Sequence, residues 1–235
     1  MHCTFVKRSL HYTEKMSVKS KRVTPRPRTR SEEKRQAIVD AARKVFGREG
    51  FARTSIDAVA TEAGVSTRTI YNHYAGKDQL FASVIEESAT QVADSQEAMI
   101  AHHLTEVVDV AKSLTDFGCA WVSTPLSADF ADHFAMVRQI GAEAAHVPRA
   151  ALVAWRDAGP RRAHRALATA FERLARDGQL CTTDGPRAAR HFIRLVGSEV
   201  EDRSEFGAVP LGAREVRAAV TAGVNVFLHG YSPKE

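Results

Sequence analysis

The stretch from Gly64 to Leu80, GVSTRTIYNHYAGKDQL, brings together hydroxyl, guanidinium, imidazole and ammonium groups. It contains neither a pair of carboxylates nor a cysteine, which acid–base catalysis and soft-metal binding commonly use. Arginine can instead bind guanine through two hydrogen bonds, and threonine can donate to a base, accept from it or contact the thymine methyl group. These residue types favour a surface that contacts DNA over a catalytic site. A polar helix face on another all-α protein is the alternative.

Two short helices joined by a turn are predicted to position these side chains. Thr54 or Ser55 can cap the first helix. Gly64 interrupts the apolar pattern, and Ser66 can then cap the second helix. The inner faces comprise Ile56, Val59 and Ala60 in the first helix and Ile70 and Tyr74 in the second. Two short helices separated by about three or four residues that include glycine form the helix-turn-helix signature.

The second helix has the polar N-terminal end that a recognition helix needs where it enters the major groove. Arg68 is the candidate base-reading residue at this end, with hydroxyl groups on either side. Groups suited to phosphate contacts follow, and Thr54 lies where the N-terminus of the preceding helix would meet a phosphate. The candidate DNA-contacting residues are Thr54, Ser66, Thr67, Arg68, Thr69, Tyr71, Asn72, His73 and Lys77.

The rest of the chain is predicted to be helical. Ser31 can cap a helix with one apolar stripe that ends near Gly50. No convincing alternating run predicts a strand, and glycines and prolines separate the later segments. Those segments cover about 77–103, 105–122, 127–146, 149–158, 161–177, 185–201 and 212–229. The sequence therefore predicts an all-α fold, with a three-helix N-terminal helix-turn-helix DNA-binding domain and a larger helical bundle.

Basic charge is concentrated at the N-terminal end. Residues 1–30 hold nine Lys/Arg and one acidic residue, a net charge of +8, whereas residues 81–235 have a net charge of −4. This asymmetry favours contact with a polyanion, and a solvated tail is the alternative. We interpret residues 1–30 as a flexible basic arm, 31–78 as the DNA-binding domain and 79–230 as a C-terminal regulatory domain. Met16 is an alternative start to Met1.

Residues 34–81, KRQAIVDAARKVFGREGFARTSIDAVATEAGVSTRTIYNHYAGKDQLF, closely resemble the DNA-binding domain of the tetracycline-repressor (TetR) family. The segments TSIDAVATEAGVS and TIYNHYAGKDQL carry most of the resemblance, and Tyr74 stands where the family more often has Phe. The resemblance implies that Thr67, Arg68 and Tyr71 lie near bases. The resemblance also implies that four residues lie near phosphates: Thr54, Tyr71, His73 and Lys77. The basic arm resembles arms that some members lay along the adjacent minor groove.

The second half of the chain is similar to the AefR-like C-terminal domain in the order of its features, from Phe134 to Leu180 and through the following AARHFIRLVGSEV. This similarity implies a homodimer with an inner cavity for a small-molecule inducer. Candidate ligand-binding residues are Phe117, Trp121, Phe130, His133, Phe134, Arg138 and Trp155. Candidate dimerisation residues are Phe192, Leu195, Val196, Val200, Val216, Val220, Val224 and Phe227. An ordinary core position is the alternative for each of them.

Other classes of protein find little support in the sequence. The three scattered cysteines favour a reducing cytosol, and no apolar run reaches the roughly 18 residues of a membrane span. The ten histidines lack metal-ligand spacing, and no nucleophile elbow, P-loop or dinucleotide fingerprint is present, so we expect no metal, cofactor or enzymatic activity. We predict a cytoplasmic homodimeric repressor that a small-molecule inducer releases from an operator in double-stranded DNA. An activator of the same fold, or an enzyme or sensor module tethered by a helix-turn-helix, is the alternative.

Overall fold

The computed structural model describes residues 29–205 and 207–233. This part of the chain forms α-helices and contains no β-strand, which confirms the predicted all-α fold. The predicted basic arm falls outside the described residues except for its last two positions. The α-helices are α1 (Arg30–Arg53), α2 (Ile56–Ala63), α3 (Thr67–Tyr71), α4 (Lys77–Leu104), α5 (Val110–Ser123), α6 (Ala131–Glu143), α7 (Arg149–Ala158), α8 (Pro160–Arg176), α9 (Gly185–Arg203) and α10 (Ala213–Tyr231).

The first helix is capped by Thr29 rather than by the predicted Ser31. The Thr29 hydroxyl accepts a hydrogen bond from the Glu32 amide at 3.3 Å. The Glu32 carboxylate accepts one from the Thr29 amide at 2.7 Å. This reciprocal capping box pairs two amide groups that would otherwise lack partners at the start of α1.

The regular helix is interrupted at Gly50 as predicted, but a short helical segment continues beyond the kink to Arg53. Gly50 has a φ of 80°, in the region that only glycine adopts readily. A Cβ atom at this position would lie 2.7 Å from each Glu143 carboxylate oxygen. The positive φ therefore favours glycine at the kink, and the Glu143 carboxylate packs directly against it.

Two helices of the bundle start later than predicted. α5 begins at Val110, because the Asp109 carboxylate accepts a hydrogen bond from the Lys112 amide at 2.9 Å and caps the helix there. α6 begins at Ala131 because two short 3-10 turns, Thr124–Leu126 and Ala128–Phe130, occupy the preceding residues. Ser127 separates these turns and caps the second one.

A first hydrophobic core joins α1, α2, α3 and the N-terminal half of α4 to α6 and α7. The rings of Phe46 and Phe81 meet edge to face, with centroids 4.9 Å apart. Met136 and Ile140 of α6 are buried in the same cluster, and α6 packs along α1. Helix α6 packs along α1 and α7 along α4, whereas α2 packs against α1 and α3 against α2. The helix-turn-helix is therefore joined to α6 and α7 through α1 and α4.

A second core joins the C-terminal part of α4 to α5, α8, α9 and α10. Its centre is a group of aromatic rings with centroids 5.2 to 5.6 Å apart, contributed by Phe117, Phe171, Phe192 and Phe227. Helices α9 and α10 pack closely against each other within the chain. Among the described helices, none is both long enough and apolar enough to cross a membrane.

Candidate DNA-binding surface and ligand cavity

The turn between α2 and α3 has the predicted helix-turn-helix geometry. Of the two predicted caps, Ser55 is the one used, and its hydroxyl accepts a hydrogen bond from the Ala58 amide at 3.1 Å. Gly64 ends α2 in the left-handed conformation, with φ 64° and ψ 33°. The Val65 amide then bonds the Ala60 carbonyl at 3.0 Å, which closes the turn. This turn fixes the direction in which α3 leaves α2.

The start of α3 is held by two hydroxyl groups. The Ser66 hydroxyl accepts a hydrogen bond from the Thr69 amide at 3.2 Å, and the two side-chain hydroxyls lie 2.9 Å apart. Both predicted contact residues therefore have a local structural role as the cap of α3. Thr67 lies between them and is half-buried.

Arg68, Tyr71 and Asn72 are exposed predicted contacts, as is the capping residue Ser66. The Tyr71 ring is 56% exposed although it is large and apolar. Within the described residues, the Arg68 guanidinium and the Tyr71 hydroxyl make no hydrogen bond or ion pair. Ile70 and Tyr74, on the opposite side, are buried in the first core as predicted. The outer face of α3 thus presents a guanidinium and a phenol that are free for a partner.

Thr54 does not fit its predicted role as a phosphate contact through its side chain. The residue is only 2% exposed, and its hydroxyl donates to the Gly50 carbonyl at 2.7 Å. Its one proton therefore satisfies the carbonyl at the kink of α1. Contacts to a phosphate near this point would have to come from backbone amides at the start of α2.

Lys77 has partners inside the protein. Its ammonium group donates to the carbonyls of Phe51 and Ala52 at 3.0 and 3.2 Å and lies 4.6 Å from the centre of the Phe51 ring. It ties the start of α4 to the end of α1, so one of its three donors is left for a phosphate. His73 is half-buried, with its ring 6.4 Å from that of Tyr74.

A cavity of about 520 Å³ opens between α5, α6 and α9. Volumes of roughly 300–1,000 Å³ are typical of sites for drug-sized ligands. Three of the predicted ligand residues, Trp121, Phe134 and Arg138, line it. Arg138 is exposed and makes no ion pair within the described chain. The cavity therefore offers two aromatic rings and a free guanidinium.

The other four predicted ligand residues lie elsewhere. Phe117 is fully buried in the second core, and Trp155 packs against the first core. Phe130 is half-buried in the 3-10 turn and does not line the cavity. His133 is adjacent to Phe134 in sequence, but one residue along a helix turns the side chain by about 100°. It faces α4, where its Nδ1 lies 2.9 Å from the Ser88 hydroxyl.

His133 is 5% exposed, and this burial lowers its pKa to about 4, with further lowering by the charge of Arg43. The imidazole is therefore neutral at pH 7 and links α6 to α4. It lies on a different face of α6 from the cavity-lining Phe134.

The sequence prediction missed the wall that α9 contributes to the cavity. Ile193, Gly197, Val200 and Glu201 line it, and the turn after α9 adds Ser204 and Gly207. Their spacing of i, i+4, i+7 and i+8 marks one helix face, and Gly197 leaves room beside it. That spacing is the signal available in the sequence, whereas the sequence prediction places Val200 in a dimer interface.

Models of known families match most of the described chain. Residues 38–84 match the model of bacterial regulatory proteins of the TetR family. Residues 112–233, more than half of the chain, match the C-terminal domain of AefR-like transcriptional repressors. This protein belongs to the TetR family.

Curated relatives of this TetR-family protein match it mainly in the N-terminal region. It is 34% identical over 64 residues to the HTH-type transcriptional regulator AcrR of Shigella flexneri, which is 27% of this chain and 30% of that protein. It is 41% identical over 58 residues to the HTH-type transcriptional repressor SCO4008 of Streptomyces coelicolor, which is 25% of this chain and 30% of that protein. Each match thus spans about a third of the relative's length.

Solved structures match over the whole fold. The flavonoid-responsive regulator FrrA has a TM-score of 0.68 and 27% identity, over 87% of this chain and 100% of that one. A TetR family transcriptional regulator from Pseudomonas syringae pv. tomato has a TM-score of 0.61 and 26% identity, over 86% of this chain and 98% of that one.

The predicted dimerisation residues of this TetR-family chain need correction. All of them except Leu195 are buried in the second core of a single chain, where α5 and α8 cover the inner faces of α9 and α10. These buried residues are Phe192, Val196, Val200, Val216, Val220, Val224 and Phe227. They are not accessible to a second copy. The stripe that sequence periodicity detects in α9 and α10 is the intrachain core.

The outward faces of α9 and α10 carry different residues. α10 exposes Ala218, Ala222 and Asn225, together with Val226, which is 59% exposed. On α9, Arg194, Ser198 and Asp202 are exposed and follow one another at intervals of four residues, so they share one face. Within the described chain, Arg194 and Asp202 form no ion pair.

Proposed function

We propose that this TetR-family protein is a cytoplasmic homodimeric transcriptional repressor that binds an operator in double-stranded DNA and is released from it by a small-molecule inducer. Residues 31–78 form the DNA-binding domain and residues 79–230 the regulatory domain in this proposal. The exposed face of α3, with Arg68 and Tyr71 free of internal partners, carries the proposal. The basic charge of residues 1–30 adds support for contact with the phosphate backbone.

The proposed reading of DNA sequence centres on Arg68. A bidentate contact with guanine contributes about 1–3 kcal/mol of discrimination against a wrong base. Arg68→Ala should therefore weaken binding to a selected operator and relax sequence preference at one position of each half-site. Arg176→Ala is the matched control, since Arg176 is exposed on α8 and has no ion pair within the described chain.

Binding of operators with every single-base change, measured by fluorescence anisotropy, separates two roles for Arg68. Loss of preference at one base pair supports base reading. Equal weakening across all sequences would place Arg68 on a phosphate instead.

In this proposal, α6 connects the ligand cavity to the DNA-binding domain, and its movement causes the release of DNA. One face of this helix lines the cavity through Phe134 and Arg138, and another packs along α1. At its C-terminal end, Glu143 accepts a hydrogen bond from the Ala52 amide at 3.2 Å and lies 3.7 Å from the Arg53 guanidinium. A ligand that displaces α6 would therefore move the end of α1, next to the start of α2.

Such a ligand must bind the form that does not fit DNA more tightly than the form that does, because equal affinity shifts no population. We propose an aromatic inducer, since Trp121 and Phe134 line the cavity and the structurally similar regulator FrrA is described as flavonoid-responsive. The flavonoid naringenin is a suitable first probe.

Tryptophan fluorescence tests the ligand site directly. The protein has two tryptophans, and Trp155→Phe leaves Trp121 in the cavity as the single reporter. Naringenin should quench Trp121 and lower operator affinity. Phe134→Ala should weaken both effects, whereas Phe130→Ala, beside the cavity, should change them little. Quenching without any loss of DNA binding would contradict the inducer proposal.

The proposed dimer uses the outward faces of α9 and α10. If two antiparallel α9 helices meet on a two-fold axis at Ser198, Arg194 of each copy lies opposite the partner's Asp202, because both residues are four positions from Ser198. The small side chains of Ala218 and Ala222 would allow the α10 helices to approach. Two recognition helices could then enter successive major grooves about 34–36 Å apart.

A charge-reversal set tests this pairing. Arg194→Asp and Asp202→Arg should each place like charges opposite one another and favour the monomer in sedimentation at micromolar concentration. The double variant restores opposite charges and should restore the dimer. A wild-type chain that sediments as a folded monomer would refute the dimer, whereas dimeric single variants would refute this pairing alone.

A further inference from the structure

A second concave site lies on the outside of the regulatory bundle, between α8 and α9. It has a volume of about 250 Å³ and is lined by Arg161, His164, Arg165, Ala168, Pro186 and Arg190. Three guanidinium groups and an imidazole therefore surround it, and no carboxylate among residues 29–205 and 207–233 lines it. It is separate from the cavity between α5, α6 and α9, with which it shares no lining residue.

The positive charge of this groove is only partly neutralised. Arg161 pairs with Asp157 at 2.5 Å. Arg165 and Arg190 form no ion pair with any described residue. Arg162, next to Arg161 but turned away, is held by two acidic residues of α4 at 2.5 and 2.7 Å. The fold thus supplies carboxylates to the arginine that faces α4 and leaves two arginines of the groove without any.

The positive charge around the groove also affects the pKa of His164, which lines it. It is half-buried, and its pKa is lowered first by burial and then by the charges of Arg190 and Arg194. A neutral imidazole can still donate one N–H to a ligand, while the guanidinium groups offer planar pairs of donors. These donors suit the oxygens of phosphate or carboxylate groups, which guanidinium binds with two parallel hydrogen bonds.

We propose that the groove between α8 and α9 binds a small anion with several negative charges, of the phosphate or carboxylate type, through Arg165, Arg190 and His164. Its volume suits a molecule the size of pyrophosphate or a tricarboxylate rather than a drug-sized inducer. The anion would contact the N-terminal half of α9, whose C-terminal half lines the ligand cavity through Gly197 and Glu201.

Titration with pyrophosphate and with citrate, at constant ionic strength, tests the proposal on the full chain. The readouts are the dissociation constant from calorimetry and the His164 ring signals in NMR spectra, assigned with His164→Gln. The local signal matters because the basic residues 1–30 also attract anions. An anion in the groove should shift the His164 signals and raise its pKa, since opposite charge favours the imidazolium.

The double variant Arg165→Gln/Arg190→Gln should weaken binding about tenfold or more and abolish the shift of the His164 signals. The control Arg176→Gln/Arg214→Gln removes the same charge from exposed sites outside the groove and should keep both. Arg165→Lys/Arg190→Lys, which retains the charge, should keep part of the affinity.

Tighter binding of pyrophosphate than of citrate would assign the site to phosphate groups, and the reverse would assign it to carboxylates. Unmoved His164 signals with both anions, or equal losses in the two double glutamine variants, would overturn the proposal.

Discussion

Replacement of Gly223 by alanine should destabilise the protein, because α9 and α10 cross with backbone against backbone at this point. A Cβ atom on Gly223 would meet the Leu195 carbonyl, with its carbon 2.6 Å away, and would lie 3.0 Å from the Val196 Cα atom. Neither contact involves a flexible side chain, so the two helices must separate. Overpacking of a well-packed core costs about 1–3 kcal/mol, and alanine in a helix returns about 1 kcal/mol.

Gly141→Ala is the matched control. Gly141 also lies within a helix, α6, and a Cβ atom there would have no neighbour within 4 Å. This variant should gain about 0.5–1 kcal/mol from helix propensity. The net loss for Gly223→Ala is then up to about 2 kcal/mol, so this variant should be less stable than Gly141→Ala.

Urea denaturation followed by circular dichroism measures both variants, at one fixed protein concentration because a dimer makes stability depend on concentration. A Gly223→Ala protein as stable as Gly141→Ala would refute the close crossing of α9 and α10. The α9–α10 crossing determines which residues of these helices face outward, so the faces proposed for dimerisation would then have to be reassigned.

Three further predictions concern the DNA-binding domain, its contact with α6 and the basic arm. Stability should fall as the pH drops from about 6.5 towards 4, because buried His133 has a folded-state pKa of about 4 and the unfolded chain binds the extra proton; His133→Gln should flatten this fall in urea midpoints, and exposed His229→Gln should not. Thr54→Val should lower the free energy of unfolding by about 1–3 kcal/mol, because the buried Gly50 carbonyl loses its partner; a large uniform loss of operator affinity with normal stability would contradict this. Deletion of residues 1–29 should reduce the slope of log affinity against log salt, and an unchanged slope would show that the arm does not contact DNA.

The fold of the DNA-binding domain was predictable from the sequence because its turn and capping residues act locally. Gly64 ends α2 in the left-handed conformation and Ser66 caps α3, so each acts only on the residues next to it. The place of Thr54 just before α2 was predictable, but the role of its hydroxyl was not, because its hydrogen-bond partner depends on the kink at Gly50. The capping residue of α1 was missed because Thr29 and Ser31 are both good caps, and only the partner Glu32 distinguishes them.

The regulatory half was less predictable because its residues are assigned by tertiary contacts. His133 and Phe134 are neighbours in sequence yet face α4 and the cavity respectively. The apolar stripes of α9 and α10 are equally consistent with a core and with an interface between copies. The contacts with α5 and α8 decide this for residues such as Val196 and Val220.

Selection of bound DNA from a random pool tests the central claim most directly. The wild-type protein should enrich an inverted repeat whose half-sites lie on successive major grooves, about 34–36 Å apart. Arg68→Ala should lose preference at one position of each half-site. A pool that shows no enriched motif after repeated selection, or a single unrepeated site bound by a monomer, would contradict the account.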